Sequence, residues 1–154
     1  MRTLEPSATL SATPPPEPVS PLEGTWQTDP LSRSDAEATL RRFGLARWIE
    51  RFRPVPLLGP RTWLILDIRD GGWNLYGSSG DGPREKIDFD AGYMVDGNEV
   101  DKIHAAGVTT FRWSVNGDTL TLEWLETTEP SFRGIPGEVF QRALYMAAEF
   151  ERKG

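Results

Sequence analysis

The sequence predicts an all-β protein: an antiparallel up-and-down β-barrel of about eight strands, with a helix-turn-helix insert after the first strand. From Thr62 onward, apolar and polar residues alternate with a period of two, which is typical of half-buried strands. Tight-turn sequences recur between these segments, among them Asp96-Gly97-Asn98 and Asn116-Gly117-Asp118. Successive hairpins form a meander, which closes most simply as a barrel. An open β-sandwich is the alternative.

The strands are placed by this alternation and by the turns that bound it. The first strand is Leu22–Gln27, and six more are expected at Trp63–Arg69, Trp73–Gly77, Glu85–Val95, Glu99–Ala105, Thr109–Val115 and Thr119–Glu126. A loop with two prolines and two glycines follows, and Glu138–Leu144 could form a helical turn. Tyr145–Arg152 is interpreted as the last strand, with a terminal helix as the alternative.

The insert between the first two strands carries helix signals. Ser34 and Glu37 have the spacing of a capping box, the first helix is expected to end near Phe43, and Gly44 suits the position after it. A second short helix presents one apolar stripe, which consists of Leu45, Trp48, Ile49 and Phe52. So short a helix must dock to be stable, so we expect it across one end of the barrel, as a lid over a cavity or as a plug.

Residues 1–20 differ in composition from the rest of the chain. They are rich in Pro, Ser, Thr and Ala and include Pro14-Pro15-Pro16, so we expect a disordered tether before a barrel domain over residues 21–154. An SH3-type ligand is the alternative for this segment. Such a tether also follows the lipid-anchored cysteine of bacterial lipoproteins, so the expected location is cytoplasmic or that of an extracytoplasmic lipoprotein-type domain without its anchor.

Composition limits the function classes. The 154 residues include no cysteine and one histidine, which excludes disulfides and zinc-thiolate sites and argues against any metal or cofactor. The net charge of −6 argues against a nucleic-acid partner. No apolar run reaches membrane-spanning length, and the sequence does not specify an oligomeric state.

One short motif resembles a known superfamily. Gly24-Thr25-Trp26 on the first strand is similar to the Gly-x-Trp signature of the lipocalins and related calycins, and a basic residue, Arg152, ends the last expected strand. The resemblance implies a calycin barrel in which Trp26 plugs the closed end and Arg152, or failing that Lys153, covers its ring. The helical insert resembles the lid of fatty-acid-binding proteins. No residues match the Arg and Tyr that hold the carboxylate in that branch, so a fatty acid is not the expected ligand.

Strand alternation predicts an aromatic interior. Together with the helix stripe it gives the expected pocket residues: Trp48, Phe52, Trp73, Phe89, Tyr93, Phe111, Trp113, Leu122 and Trp124. These side chains could fill a small barrel, or they could line a cavity for a small hydrophobic or aromatic molecule. Binding of such a molecule is the leading functional interpretation. The alternatives are a lipocalin-like cyclase or isomerase of a biosynthetic pathway, and an interaction module with a filled barrel.

Catalytic signals are few. No nucleophile motif frames a serine, so no catalytic residue is predicted. His104 is expected at the surface or rim. The strand and turn carboxylates are expected to be solvated, namely Asp67, Asp88, Asp90 and Asp101.

Overall fold

A computed structural model describes residues 20–53, 61–79 and 83–153 of the chain. Within them, eight antiparallel strands form a closed barrel in sequence order, which confirms the predicted fold class. The strands are β1 (Gly24–Gln27), β2 (Trp63–Arg69), β3 (Gly72–Ser78), β4 (Glu85–Asp96), β5 (Glu99–His104), β6 (Gly107–Asn116), β7 (Thr119–Thr127) and β8 (Phe150–Arg152). The tether predicted at residues 1–20 lies, apart from Ser20, outside the described residues.

The helical insert after β1 is also confirmed. It comprises α1 (Arg33–Arg42), a 3-10 turn (Ala46–Trp48) and α2 (Ile49–Phe52). The predicted capping box at Ser34 is wrong: Ser32 caps the helix, and its backbone N–H donates to Asp35 Oδ2 at 2.7 Å. Glu37 instead accepts a hydrogen bond from Arg53 Nε at 3.1 Å. No helix among the described residues is long and apolar enough to cross a membrane.

The end of the chain differs from the prediction. Helix α3 (Gly137–Tyr145) extends through Tyr145, so β8 is only three residues long. Val139, Phe140, Ala143 and Leu144 recur at helical spacing and are all buried, so the helical turn expected at Glu138–Leu144 is present as part of a longer helix, and the strand expected from Tyr145 begins only at Phe150. Strand β8 pairs with β7 only at Thr119 and Leu120, and α3 packs on β7. The helix thereby shields a strand edge that β8 leaves open.

The apolar stripe of the insert is buried against α3. Leu45, Ile49 and Phe52 belong to the apolar core, and the Phe52 and Phe140 ring centroids are 5.6 Å apart. Helix α1 also packs on α3. Because α3 in turn contacts inward-facing side chains of the barrel, the three helices form one layer across a barrel end.

The opposite end of the barrel is closed around Trp26. The Trp26 side chain is fully buried, and its indole N–H donates to Leu22 O at 2.9 Å. The Arg152 guanidinium carbon lies 4.2 Å from the centroid of the Trp26 ring. Its Nη1 and Nη2 donate to the carbonyl oxygens of Glu23 and Pro21, each at 2.8 Å. The Arg152 side chain thus covers Trp26 and also binds the backbone of the segment that precedes β1.

Aromatic rings occupy the barrel interior. Trp73 and Phe111 stack with ring centroids 5.9 Å apart and an interplanar angle of 5°. The Tyr145 ring packs edge-on against both, at 5.8 and 5.0 Å. All three side chains are fully buried, so helix α3 contributes directly to the barrel core.

Trp26→Ala should lower the free energy of unfolding by about 3–5 kcal/mol, the usual cost of truncating a large buried side chain. Trp48→Ala is the matched control, because Trp48 is only partly buried. It should cost clearly less. Urea denaturation of both variants measures the difference, and equal losses would contradict the structural role given to Trp26.

Candidate functional site

A buried lysine lies at the centre of a polar cluster beneath α3. Lys102 on β5 is 0% exposed. Its Nζ donates to Asp88 Oδ2, to Gln141 Oε1 at 2.6 Å, and lies 3.1 Å from Glu129 Oε2. It also lies 5.2 Å from the centroid of the Tyr145 ring. An ammonium group has three N–H donors, so these three oxygens satisfy all of them, and the two carboxylates more than compensate its charge.

Asp88 on β4 is the acceptor on which the cluster converges. Its Oδ2 accepts from Lys102 and from the Tyr145 hydroxyl at 2.7 Å, and its Oδ1 lies 2.6 Å from His104 Nε2. Burial raises the pKa of Asp88, but the His104 hydrogen bond, the Lys102 charge and the Tyr145 hydroxyl outweigh burial and lower it to about 2. Asp88 is therefore a stable anion.

An irregularity in β4 turns Asp88 inward. Trp73 pairs with Ala91, Leu75 with Asp88 and Tyr76 with Lys86, so the register shifts twice and β4 has two extra residues over this stretch. Each extra residue shifts the alternation of the strand by one. The first shift places Asp88 opposite the buried Leu75, and after the second one Ile87 lines the same pocket as Asp88.

The same bulge corrects the prediction for Phe89. Its ring packs edge-on against Tyr76 at 5.3 Å, with Lys86 Nζ 4.3 Å from its centroid. Tyr76 lies on the face of β3 opposite to the buried Leu75 and Gly77. Phe89 is therefore on the outer face of the barrel.

His104 and Tyr145 flank Asp88 on either side. The hydrogen bond with Asp88 raises the pKa of His104 above its usual value, although burial opposes this. Burial and the Asp88 charge raise the pKa of the Tyr145 hydroxyl well above its usual range, so it stays protonated. Trp73 Nε1 donates to the Tyr145 oxygen at 3.0 Å, which orients the hydroxyl hydrogen toward Asp88.

Glu129 enters the cluster from the loop after β7. Its carboxylate accepts from Thr109 Oγ1, and its backbone N–H donates to Thr127 Oγ1 at 3.0 Å. The backbone at Glu129 passes so close to Gly107 and Gly137 that a Cβ on either would come within about 2.8 Å of a backbone atom of residue 128 or 129. Two glycines on different elements thus let this loop approach the barrel and fix the carboxylate.

A pocket of about 210 Å³ opens above this cluster, and we call it the mouth pocket. Its polar lining residues are Asp88, Glu129 and Gln141. Its other lining residues are Ile87, Pro130, Phe132, Gly137, Phe140 and Leu144. The lining therefore combines two carboxylates and an amide with aliphatic and aromatic surface.

Three side chains of the cluster also have the chemistry of metal ligands. Three potential ligand atoms, one each from Asp88, His104 and Glu129, lie within 4.8 Å of one another. The Lys102 ammonium, however, is already bonded to both carboxylates. Because one positive charge fills the position between the two oxygens, we interpret the group as an ion-pair network and not as a metal centre.

The predicted pocket residues lie elsewhere. Within the described part of the chain, none of the nine lines the mouth pocket. Buried core positions are taken by Phe52, Trp73, Phe111 and Leu122, and partly buried ones by Trp48, Tyr93, Trp113 and Trp124.

Three of the partly buried residues have polar groups inside the protein. The Tyr93 hydroxyl donates to Glu23 Oε2 at 2.7 Å, and burial raises the Tyr93 pKa to about 12. The indole nitrogens of Trp113 and Trp124 are buried without a hydrogen-bond partner among the described residues. The Arg142 guanidinium carbon lies 4.4 Å from the Trp124 ring centroid.

Sequence reasoning missed the polar cluster, although one signal pointed to it. Val100, Lys102 and His104 alternate along β5, so the lysine shares a face with a core valine. The expectation that Asp88 is solvated is wrong. His104, expected at the surface or rim, has a side chain that is 18% exposed and bonded to Asp88.

Comparison with known proteins gives no match. No protein-family model matches the chain, and neither the curated proteins nor the solved structures yield a significant similarity. A closed eight-stranded barrel is compatible with the calycins but does not identify a member of that superfamily. What the site does must therefore be argued from its own geometry.

The Lys102–Asp88 pair can be tested by a double-mutant cycle. Lys102→Met or Asp88→Asn should each lower the free energy of unfolding by about 3–5 kcal/mol, because each leaves a buried charge without its main partner. The double variant should lose less than the sum of the two. Chemical denaturation provides all four values. Additive losses would show that the two side chains are not energetically coupled.

His104 should make stability depend on pH. Because its folded pKa is raised, the protonated form is favoured in the folded state, so its contribution is complete below its unfolded pKa of about 6.5. The contribution is lost as pH rises through the folded pKa. His104→Gln should therefore be most destabilising near about pH 5.5 and less so near about pH 8.5. Urea denaturation at both pH values measures this, and a deficit that grows with pH would reverse the assignment.

Proposed function

We propose that this protein binds a small molecule with an apolar or aromatic body, and that the mouth pocket is its binding site. The observation that carries the proposal is the mixed lining of this pocket, which combines apolar residues with a few polar ones. Binding sites for small molecules combine mostly apolar walls with a few fixed polar groups, and Asp88, Glu129 and Gln141 are held in place by Lys102. A resemblance to the calycins, which the barrel permits, belongs to the same proposal.

The size of the pocket limits the ligand. Its volume of about 210 Å³ is below the roughly 300–1,000 Å³ of pockets for drug-sized ligands. The barrel beneath it is occupied by the stacked rings of Trp73, Phe111 and Tyr145. A compact ligand, such as a single ring with one polar substituent, suits this space.

An acid–base enzyme of the cyclase or isomerase type is the second candidate. The observation that favours it is the 2.6 Å contact between His104 and the pocket-lining Asp88, since a histidine with a raised pKa can serve as an acid near neutral pH. Binding ranks first because Asp88, with a pKa of about 2 and several donors around it, is a weak base. Tyr145 is fully buried, so it is not accessible to a substrate.

Indole is a suitable probe of the binding proposal. Titration of ¹⁵N-labelled protein with indole should shift the backbone amide signals of Ile87 and Leu144, whose side chains line the pocket. Phe132→Ala should weaken binding about three- to tenfold, since an aromatic contact contributes about 0.5–1.5 kcal/mol. Phe132 is 52% exposed, so the variant should remain folded.

Met94→Ala is the matched control for the indole titration. Met94 is also a large exposed apolar residue, but it lies near the end of β4 and outside the pocket lining. It should bind indole like the wild type. If indole shifts no pocket signals at millimolar concentration, or shifts only signals elsewhere, the proposed site is wrong. Native mass spectrometry of the purified protein would add the mass of any ligand that co-purifies.

A further inference from the structure

We propose that the ligand of the mouth pocket is a small organic ammonium ion, a proposal that rests on the binding function proposed above. The ammonium group would bind the carboxylate oxygens of Asp88 and Glu129, and its apolar body would lie against Phe132, Phe140 and their neighbours. Three features of the pocket carry the inference: the charged groups that line it, the sum of the charges in the cluster, and the aromatic rings in its lining.

The charged side chains that line the pocket are carboxylates. The side chains of Asp88 and Glu129 are 11% and 15% exposed and line the pocket, whereas Lys102 is 0% exposed and lies beneath them. A ligand therefore meets the carboxylates and not the ammonium group that pairs with them. Lone pairs on carboxylate oxygens accept further hydrogen bonds, and those from a charged N–H donor are the strongest available.

The charges of the cluster leave a deficit of one cation. Asp88 and Glu129 contribute two negative charges and Lys102 one positive charge, while Tyr145 stays neutral because its pKa is raised. With His104 neutral, the sum is −1. An incoming ammonium ion completes the balance, whereas a carboxylate or phosphate would add a second uncompensated charge at a site with restricted access to water.

The aromatic rings in the pocket lining also suit a cation. The rings of Phe132 and Phe140 pack edge to face with centroids 5.6 Å apart, and both line the pocket. Aromatic faces attract ammonium groups by their quadrupole. Arg133 already lies near one of them, with its guanidinium carbon 5.3 Å from the Phe132 centroid. Arg133 is exposed, so solvent and salt screen its charge from the pocket interior.

His104 would link this recognition to pH. It is bonded to Asp88, and the charged groups near it are Asp88, Lys102 and Glu129. When His104 binds a proton, the cluster changes from −1 to zero, so its attraction for a cation weakens. The affinity for an ammonium ligand should therefore rise with pH as His104 loses its proton, while the affinity for a neutral ligand should not change.

Three matched probes test the charge preference: 2-phenylethylamine, which is a cation at neutral pH, 2-phenylethanol, which is neutral, and phenylacetate, which is an anion. Calorimetric or NMR titration of the intact protein near about pH 8.5, where deprotonation of His104 is favoured, should show the amine binding about tenfold more tightly than the alcohol, and phenylacetate most weakly. The factor reflects the difference between charged and neutral hydrogen bonds.

Glu129→Gln tests the assigned contact. This variant keeps the shape of the side chain but removes its charge, so the preference for the amine should fall to near unity while the alcohol binds as before. Glu126→Gln removes one negative charge from an exposed site on β7 and should leave the preference intact. Because the three-probe comparison uses the wild type, it does not depend on the stability of either variant.

The outcomes separate the two proposals. Equal affinities for the three probes, or tighter binding of the alcohol or the acid, would overturn the ammonium proposal while leaving the binding function in place. If neither indole nor any of the three probes shifts an amide signal of a pocket residue, the proposed binding function is wrong. The ammonium proposal would also be overturned if Glu126→Gln lost the amine preference as Glu129→Gln is expected to do. The preference would then depend on the overall surface charge and not on Glu129.

Discussion

A lysine ammonium group buried in a barrel imposes strict requirements on its surroundings. Each of its three donors needs an oxygen, and its charge needs a counter-charge, because an unpaired buried cation costs several kcal/mol. Lys102 obtains these partners from three separate segments: Asp88 from β4, Glu129 from the loop after β7, and Gln141 from α3. The bulge in β4, the close passage of the loop beside two glycines, and the position of the helix all meet at this one nitrogen atom.

The strands and the helical insert could be predicted from the sequence because their signals are local. Alternation over a few residues and a turn between them are enough to place a hairpin, and the observed β2 has the predicted bounds, Trp63–Arg69. The last strand could not be placed in the same way. The helical turn expected at Glu138–Leu144 is present, but the last strand begins at Phe150 and not at Tyr145. Tyr145 belongs to α3 because its ring packs in the barrel core, and the surface that receives α3 is assembled from distant parts of the chain.

The polar cluster could not be predicted, because its geometry depends on extra residues in β4 that shift its register against β3. Regular strand alternation, without the bulge, predicts that Asp88 is exposed to solvent and that Phe89 is in the interior. An aromatic side chain is also the residue expected in a core. With the bulge, the two exchange places. Lys102 was detectable by its spacing from Val100, but a lysine on an apolar face has no evident partner until Asp88, Glu129 and Gln141 are brought to it from elsewhere in the chain. The contact between Arg152 and Trp26 was expected from the Gly-x-Trp motif on the first strand and the basic residue at the end of the last one, and the structure contains it.

The short strand β8 also has a consequence for how the barrel forms. It joins β1 through Trp26 and Gln27 and β7 through Thr119 and Leu120, so the ring is closed by very few backbone pairs. The hydrogen bond between Arg152 and Glu23 that supports this closure spans 129 residues of sequence. Closing so long a loop costs more entropy than forming any of the hairpins, which need only neighbouring residues. The hairpins from β2 to β7 are therefore expected to assemble first as an open, twisted sheet, and burial of Trp26 under Arg152 is the step that converts this sheet into a barrel.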